Sequence, residues 1–332
     1  GHAPSSRCRR TGAGLSQPAR FRAGVVLRRV RLGSRLREVR RAAGLSRNRR
    51  LGAPQVPSLW SPAPRGNRLP EDDSWRADAV ALRRHLLPDD ATITAERFDE
   101  IVVVPDGPLW YLPLELLPIA GEDSPLIGDS IRVRYAATPG LALNPVSPPP
   151  SSRAIGLVAY PFFAPAEPEL NETITQSILD VVGEPVVLPG TPATSTGMLG
   201  DSLGHLVVAA PRNSNVKSPL SMSIAPYDQG NPAGTVAGWI RFPAQIPRSV
   251  VLAGFRTPVD AGQMGSGDEV FMTLCGLNAA GVRSVLLSRW AVGGESTAIA
   301  LREFVQELPF AGMNESWRRA TKVLRRTELD PT

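Results

Sequence analysis

The stretch RSVVLAGF, residues 248–255, followed by GDEVFMTLCGLNAAG (267–281) and VRSVLLSRW (282–290), decides the fold class. The first and third pieces are short continuous apolar runs, which suit strands buried on both faces. Between them lies a helix-length segment that opens on two acids, Asp268 and Glu269, in keeping with the charge preference of a helix N-terminus. Strand, helix and strand in that order predict two parallel strands joined by a crossover helix.

The same alternation extends outward. ESTAIALREFVQEL (295–308) and NESWRRATKVLRR (314–326) predict two further helices, and HLVVAA (205–210) and AIGLVAYP (154–161) two further buried strands. NETITQSILDVV (171–182) reads as the helix after the latter, with Ile174, Ile178 and Val181 inward. FDEIVVVPDG (98–107) is another buried strand, stopped by a Pro-Asp-Gly turn, and LWYLPLELL (109–117) is a dense apolar patch. IRVRYAAT (131–138) alternates apolar and basic residues like a sheet edge or an antiparallel hairpin, and SWRADAVALRRHLL (74–87) has helical spacing. The fold class expected is α/β, with a mostly parallel sheet flanked by helices on both faces.

Charge divides the chain. Residues 1–50 hold fifteen Arg and a single acid, Glu38, a formal +14, which leaves −8 for the rest of a chain whose total is +6. Residues 51–70 hold five Pro. Residues 1–66 therefore read as an Arg/Pro-rich, unstructured tail and linker, or as translation upstream of the true start, and residues 67–332 as one folded domain. Nucleic acid or an anionic membrane surface would be a partner only through residues 1–50, where Phe21 is the sole aromatic and stacking on bases has little to work with. No apolar run approaches the ~20 residues of a membrane-spanning helix. The two cysteines, Cys8 and Cys275, make no disulfide framework and fit a cytoplasmic location. Three histidines form no cluster of metal-ligand spacing, and the Gly293-Gly294 pair lacks the lysine and spacing of a phosphate loop, so neither metal nor cofactor is implied.

Several landmarks in this order resemble the CHAT domain, a caspase-like domain usually found in bacterial proteins behind tetratricopeptide repeats: VVVPDGPLWYLPLELLP (102–118), GHLVVAA (204–210), and GDEVFMTLCGLNAAGVRSVLLSRWAVGGESTAI (267–299). The resemblance implies a caspase-like fold and, in active members, a cysteine endopeptidase whose His and Cys sit at the ends of adjacent strands. Laid onto this chain, the histidine position falls on Ala209, the cysteine position on Phe255, and the acid after it on Arg256. A methyl and a phenyl group neither exchange protons nor attack a carbonyl, so the dyad is degenerate. The implied function is a catalytically inactive module that binds a protein or peptide, in a cleft with His205, Arg256, Asp268, Glu269, Arg289 and Trp290 as candidate lining. No repeat of the tetratricopeptide period is found in the chain.

Each candidate also has a purely structural reading: His205 as a strand-start residue with one ring nitrogen satisfied by backbone, Asp268 and Glu269 as helix N-terminal charges, Trp290 as a core anchor, and Cys275 as a small hydrophobe on the apolar side of its helix. The alternative function is an active cysteine endopeptidase with a displaced dyad of His205 and Cys275, which requires the two side chains within hydrogen-bond reach.

Overall fold

The computed structural model describes residues 24–28, 75–87, 98–143, 152–159, 168–182, 186–187, 202–225, 230–242, 245–258, 265–289 and 294–326. Their strands are β1 (Gly24–Arg28), β2 (Glu100–Val104), β3 (Arg132–Tyr135), β4 (Ile155–Ala159), β5 (Val186–Val187), β6 (His205–Asn213), β7 (Ser249–Arg256) and β8 (Ser284–Leu287). Their helices are α1 (Trp75–Leu86), α2 (Ile127–Ser130), α3 (Pro139–Leu143), α4 (Pro168–Val182), α5 (Val236–Ile240), α6 (Asp268–Ala280), α7 (Gly294–Ala311) and α8 (Met313–Arg326).

The larger sheet runs β5-β4-β6-β7-β8, and every neighbouring pair in it is parallel. Numbered within the sheet this is the order 2-1-3-4-5 of an open doubly wound fold, with its switch point between β4 and β6. From β4 the chain steps one way to β5, and from β6 it steps the other way through β7 to β8. Right-handed crossovers in opposite directions place their helices on opposite faces, and the packing agrees. Leu206, Val208, Val250 and Leu252 pack with Trp239 of α5 and with Val270 and Leu277 of α6. Leu157, Val207 and Val251 pack instead with Ile178 of α4, Phe304 and Val305 of α7 and Ala320 of α8. The chain is thus an α/β protein with helices on both faces of a parallel sheet, an arrangement consistent with a caspase-like fold.

Two features depart from the sequence-based expectation. The strands do not form one sheet: β1, β2 and β3 make a second, with β1 antiparallel and β3 parallel to β2. β1 itself lies inside the stretch expected to be unstructured. Its sequence GVVLR supplies β-branched residues, and the free edge of β2 supplies the pairing that local charge gives no hint of. The expected strand 205–210 also runs on to Asn213, through Pro211. Its register against β7 shifts between Val208 and Pro211, so that Ala209 and Ala210 lie opposite one residue, Ala253. Such a bulge is where a central strand tolerates a residue that cannot donate to the ladder.

Candidate functional site

In an open parallel sheet, binding and chemistry gather outside the strand C-termini. At this rim β7 ends on Arg256 and β8 leads into Ser288 and Arg289. The backbone there is closely tied. Thr257 donates to the Arg289 carbonyl from its N–H (3.1 Å) and its hydroxyl (2.5 Å). The Ser288 hydroxyl lies 2.8 and 2.6 Å from the carbonyls of Ala253 and Phe255.

Arg289 is a brace between the two sheets. Its Nε donates to the Trp110 carbonyl at 3.0 Å and its Nη1 to Glu115 Oε1 at 3.1 Å, while its guanidinium carbon sits 4.5 Å from the centre of the Tyr135 ring. The Tyr135 hydroxyl bonds Glu115 Oε2 and accepts the Leu114 N–H. Burial works most strongly against the Arg289 charge, but Glu115 and Tyr135 together outweigh it and hold the guanidinium more firmly protonated than usual. Burial, reinforced by Glu115, also pushes the Tyr135 phenol well above its ordinary value. The side chain expected to line a cleft is therefore engaged within the fold.

Glu269 is also turned inward. It is fully buried, its Oε1 accepts the Tyr111 hydroxyl at 2.6 Å, and Tyr111 in turn accepts the N–H of Gly267 at 3.0 Å. Burial first, and then the bond to Glu269, hold the Tyr111 phenol protonated far above its usual range. Asp268 is exposed and accepts the Ser266 hydroxyl at 2.7 Å, a local turn at the start of α6. Trp290 lies outside the described residues.

The dyad positions do not face one another. Ala209 is 2 % exposed, sits within β6 beside Ala159, and belongs to the layer under α4 and α7. Phe255 is 0 % exposed and belongs to the layer under α5 and α6; its register partner in β6 is Arg212. The two residues lie in cores on opposite faces of the sheet, so neither lines an open cleft. The expected geometry fails because the alternation that puts Val251 and Ala253 in the α4/α7 layer breaks before Phe255, which joins the α5/α6 layer instead.

His205 is displaced further. It begins β6, at the end of the sheet opposite the rim, between Ile155 and Ser249, and it is 0 % exposed. Both ring nitrogens lack a hydrogen-bond partner, against the expected backbone bond, and burial pushes its pKa down to about 4. Its alternation with Val207 and Ala209 puts it on the α4/α7 face, whereas Cys275 packs on the α5/α6 face with its thiol pKa raised by burial. The sheet separates the two members of the displaced dyad.

Tyr111, Glu115 and Tyr135 were not singled out by sequence reasoning. All three fall within or beside apolar runs, where their polar tips look incidental; the signal available was two tyrosines and a glutamate in stretches otherwise suited to a core. What remains at the rim is Arg256, partly buried, with an Nε that is buried and lacks a partner. Among the described residues no group of three or more His, Cys, Asp or Glu side chains could hold a metal ion, and no helix is long and apolar enough to cross a membrane.

Fold and rim together define an open-sheet α/β protein in which the backbone beyond β8 is tied to the segment after β2 by the Arg289–Glu115 ion pair and the hydrogen bond to Trp110. Set against family models, curated proteins and solved structures, the chain has no match in any of the three.

Proposed function

We propose that this chain is a catalytically silent CHAT-like, caspase-like domain that binds a protein or peptide segment and serves as a scaffold in signalling in the bacterial cytoplasm. The observation that carries the proposal is the state of the β7 terminus. The resemblance puts a nucleophile at residue 255, and the phenyl ring found there is wholly buried. Support also comes from β6 and β7, which carry the two dyad positions and are neighbours in the sheet, as the resemblance requires. An arginine at a rim of this kind is an efficient binding anchor.

The displaced dyad finds no support in the geometry. Thiolate attack needs a base within ~2.6–3.2 Å of the sulfur, and His205 and Cys275 pack into different layers. The test is a peptidase assay on the full chain with a fluorogenic peptide pool, alongside iodoacetamide labelling. The expected result is no turnover, with slow labelling of Cys275 because its thiol is held protonated. Cleavage that disappears in either Cys275→Ala or His205→Ala would overturn the proposal.

A further inference from the structure

We infer that the end of the larger sheet opposite the rim, where its strands begin, binds single-stranded nucleic acid through Arg153, Arg248, Arg283 and Phe310. This surface is separate from the rim, so the inference does not rest on the peptide-binding reading.

Because β4, β6, β7 and β8 are parallel, all four start at one end, with Ile155, His205, Ser249 and Ser284 in one register row. Arg153 precedes that row by two residues, and Arg248 and Arg283 by one. Side chains far apart in sequence are thereby gathered on one edge. The N–H of Arg283 donates to the Arg248 carbonyl at 2.7 Å, which holds those two residues side by side, and Arg153 stands two strands away from Arg248, about 10 Å. All three arginines are exposed, and among the described residues none of their guanidinium groups meets a carboxylate. The described residues that lead into the four strands, 152–154, 202–204, 245–248 and 281–283, contain no acid. Toward the ends of α4 and α7, Asp180 accepts from the Gln176 amide and Glu307 is paired with Arg319. Neighbouring like charges in a sheet are unfavourable, and an anion spanning them removes that cost.

Beside the arginines lies an aromatic platform. Phe310, near the end of α7, is 65 % exposed, the most open of the large apolar side chains described, and the guanidinium carbon of Arg153 sits 5.1 Å from its ring centre. An open ring next to a cation is a stacking surface for an unpaired base, while the arginine forks take the phosphates. An acidic peptide would meet the charges and leave the ring without a partner. A lipid surface would draw on a broader apolar face than one phenyl group.

The test is fluorescence anisotropy of the full chain with a labelled oligothymidylate about twenty nucleotides long, over a range of salt concentrations. Wild type is compared with the triple variant Arg153→Ala, Arg248→Ala, Arg283→Ala and with Phe310→Ala, with circular dichroism to show that each is folded. Arg84→Ala serves as control, since Arg84 is also exposed but lies on α1. Each phosphate contact to a single strand adds about −0.7 to the slope of log K against log salt, so the triple variant should flatten that slope by about two. Phe310→Ala should weaken binding about fivefold or more at every salt concentration with the slope kept, and Arg84→Ala should change neither.

Binding that both variants retain in full assigns the nucleic acid to residues 1–50 and overturns the inference, as does an absence of binding. Equally tight binding of a glutamate-rich peptide or of phosphatidylglycerol vesicles, with Phe310→Ala indifferent, overturns it as well, because the edge then takes anions by charge alone. Each of these outcomes leaves the peptide-binding reading of the rim standing.

Discussion

Phe255 and His205 show how burial alone fixes what a residue can do. Replacing Phe255 by cysteine would put a thiol where the resemblance wants one, but in a closed layer beside Val270 and Leu252. Large-to-small changes at such positions cost about 3–5 kcal/mol, and a histidine at Ala209 would be forced into the opposite core, which is as tightly filled. The double variant Ala209→His, Phe255→Cys is therefore expected to lose stability and gain no thiol reactivity; a folded double variant that labels rapidly at residue 255 would show that the two faces communicate. His205 carries a pH dependence of definite sign. Its folded pKa of about 4 lies below the ~6.5 of an unfolded histidine, so its contribution is fully present above pH 6.5. As pH falls from there toward 4, the unfolded chain takes up a proton that the folded chain refuses, and stability is lost. Between pH 7 and 5 this amounts to about 2 kcal/mol. Urea unfolding at the two pH values should show wild type weakening by about that much more than His205→Leu, and equal slopes would mean that the ring is solvated.

Elements were legible in proportion to how local their causes are. β7, β8 and α6 follow from apolar runs and from acids at the helix start, and they lie where the sequence puts them. β6 was legible only as far as Ala210. Pro211 argues against a central strand, and the bulge that accommodates it is a relation with β7 that β6 does not encode by itself. β1 was hidden because its neighbours are arginines and its pairing partner lies more than seventy residues away. At the rim, Arg256, Glu269 and Arg289 stood out as charges near strand or helix ends, but the partners of Glu269 and Arg289 come from Trp110, Tyr111 and Glu115, in a segment that reads as core. Glycine at residue 267 is the element-scale feature most open to test. It caps α6 with φ +80°, and a Cβ there would stand 2.2 Å from the Gly107 carbonyl oxygen. Backbone cannot yield as a side-chain tip does, so Gly267→Ala should cost at least ~1–3 kcal/mol and shift the melting temperature down by several degrees. Gly281→Ala has open space around its Cβ and only its φ of +112° against it, and should be the milder of the two. A reversal of that order would place the strain at the end of α6 rather than at its start.

The two sheets are joined by the apolar cluster that Trp110, Tyr111 and Ala137 share with β6 and β7, and by a few polar contacts. Tyr111 and Glu269 tie the turn after β2 to α6, and Asn314 of α8 reaches Glu100 of β2, which is itself paired with Arg134. Arg289 is the most connected of these joints, since it bonds Trp110 and Glu115 and stacks on Tyr135 of β3 while its own carbonyl holds Thr257 beyond β7. Its side chain is 14 % exposed and that of Glu115 32 %, so the pair is screened in part and its loss should cost less than that of a fully buried pair, about 2 kcal/mol. Truncation at Arg289→Ala removes the cation while leaving the backbone bonds to Thr257 intact, so the larger sheet should keep its own hydrogen-bond ladder. Arg289→Lys keeps charge but loses the fork that reaches a carbonyl and a carboxylate together, and it should rescue little. Hydrogen exchange discriminates between a local and a general role. With Arg289 acting as a brace, amides of β2 and β3 and of residues 107–117 exchange faster in both variants while β4, β6 and β7 remain protected. Uniform acceleration across both sheets would instead mean that they unfold as one unit and that Arg289 contributes to global stability without joining two separable parts.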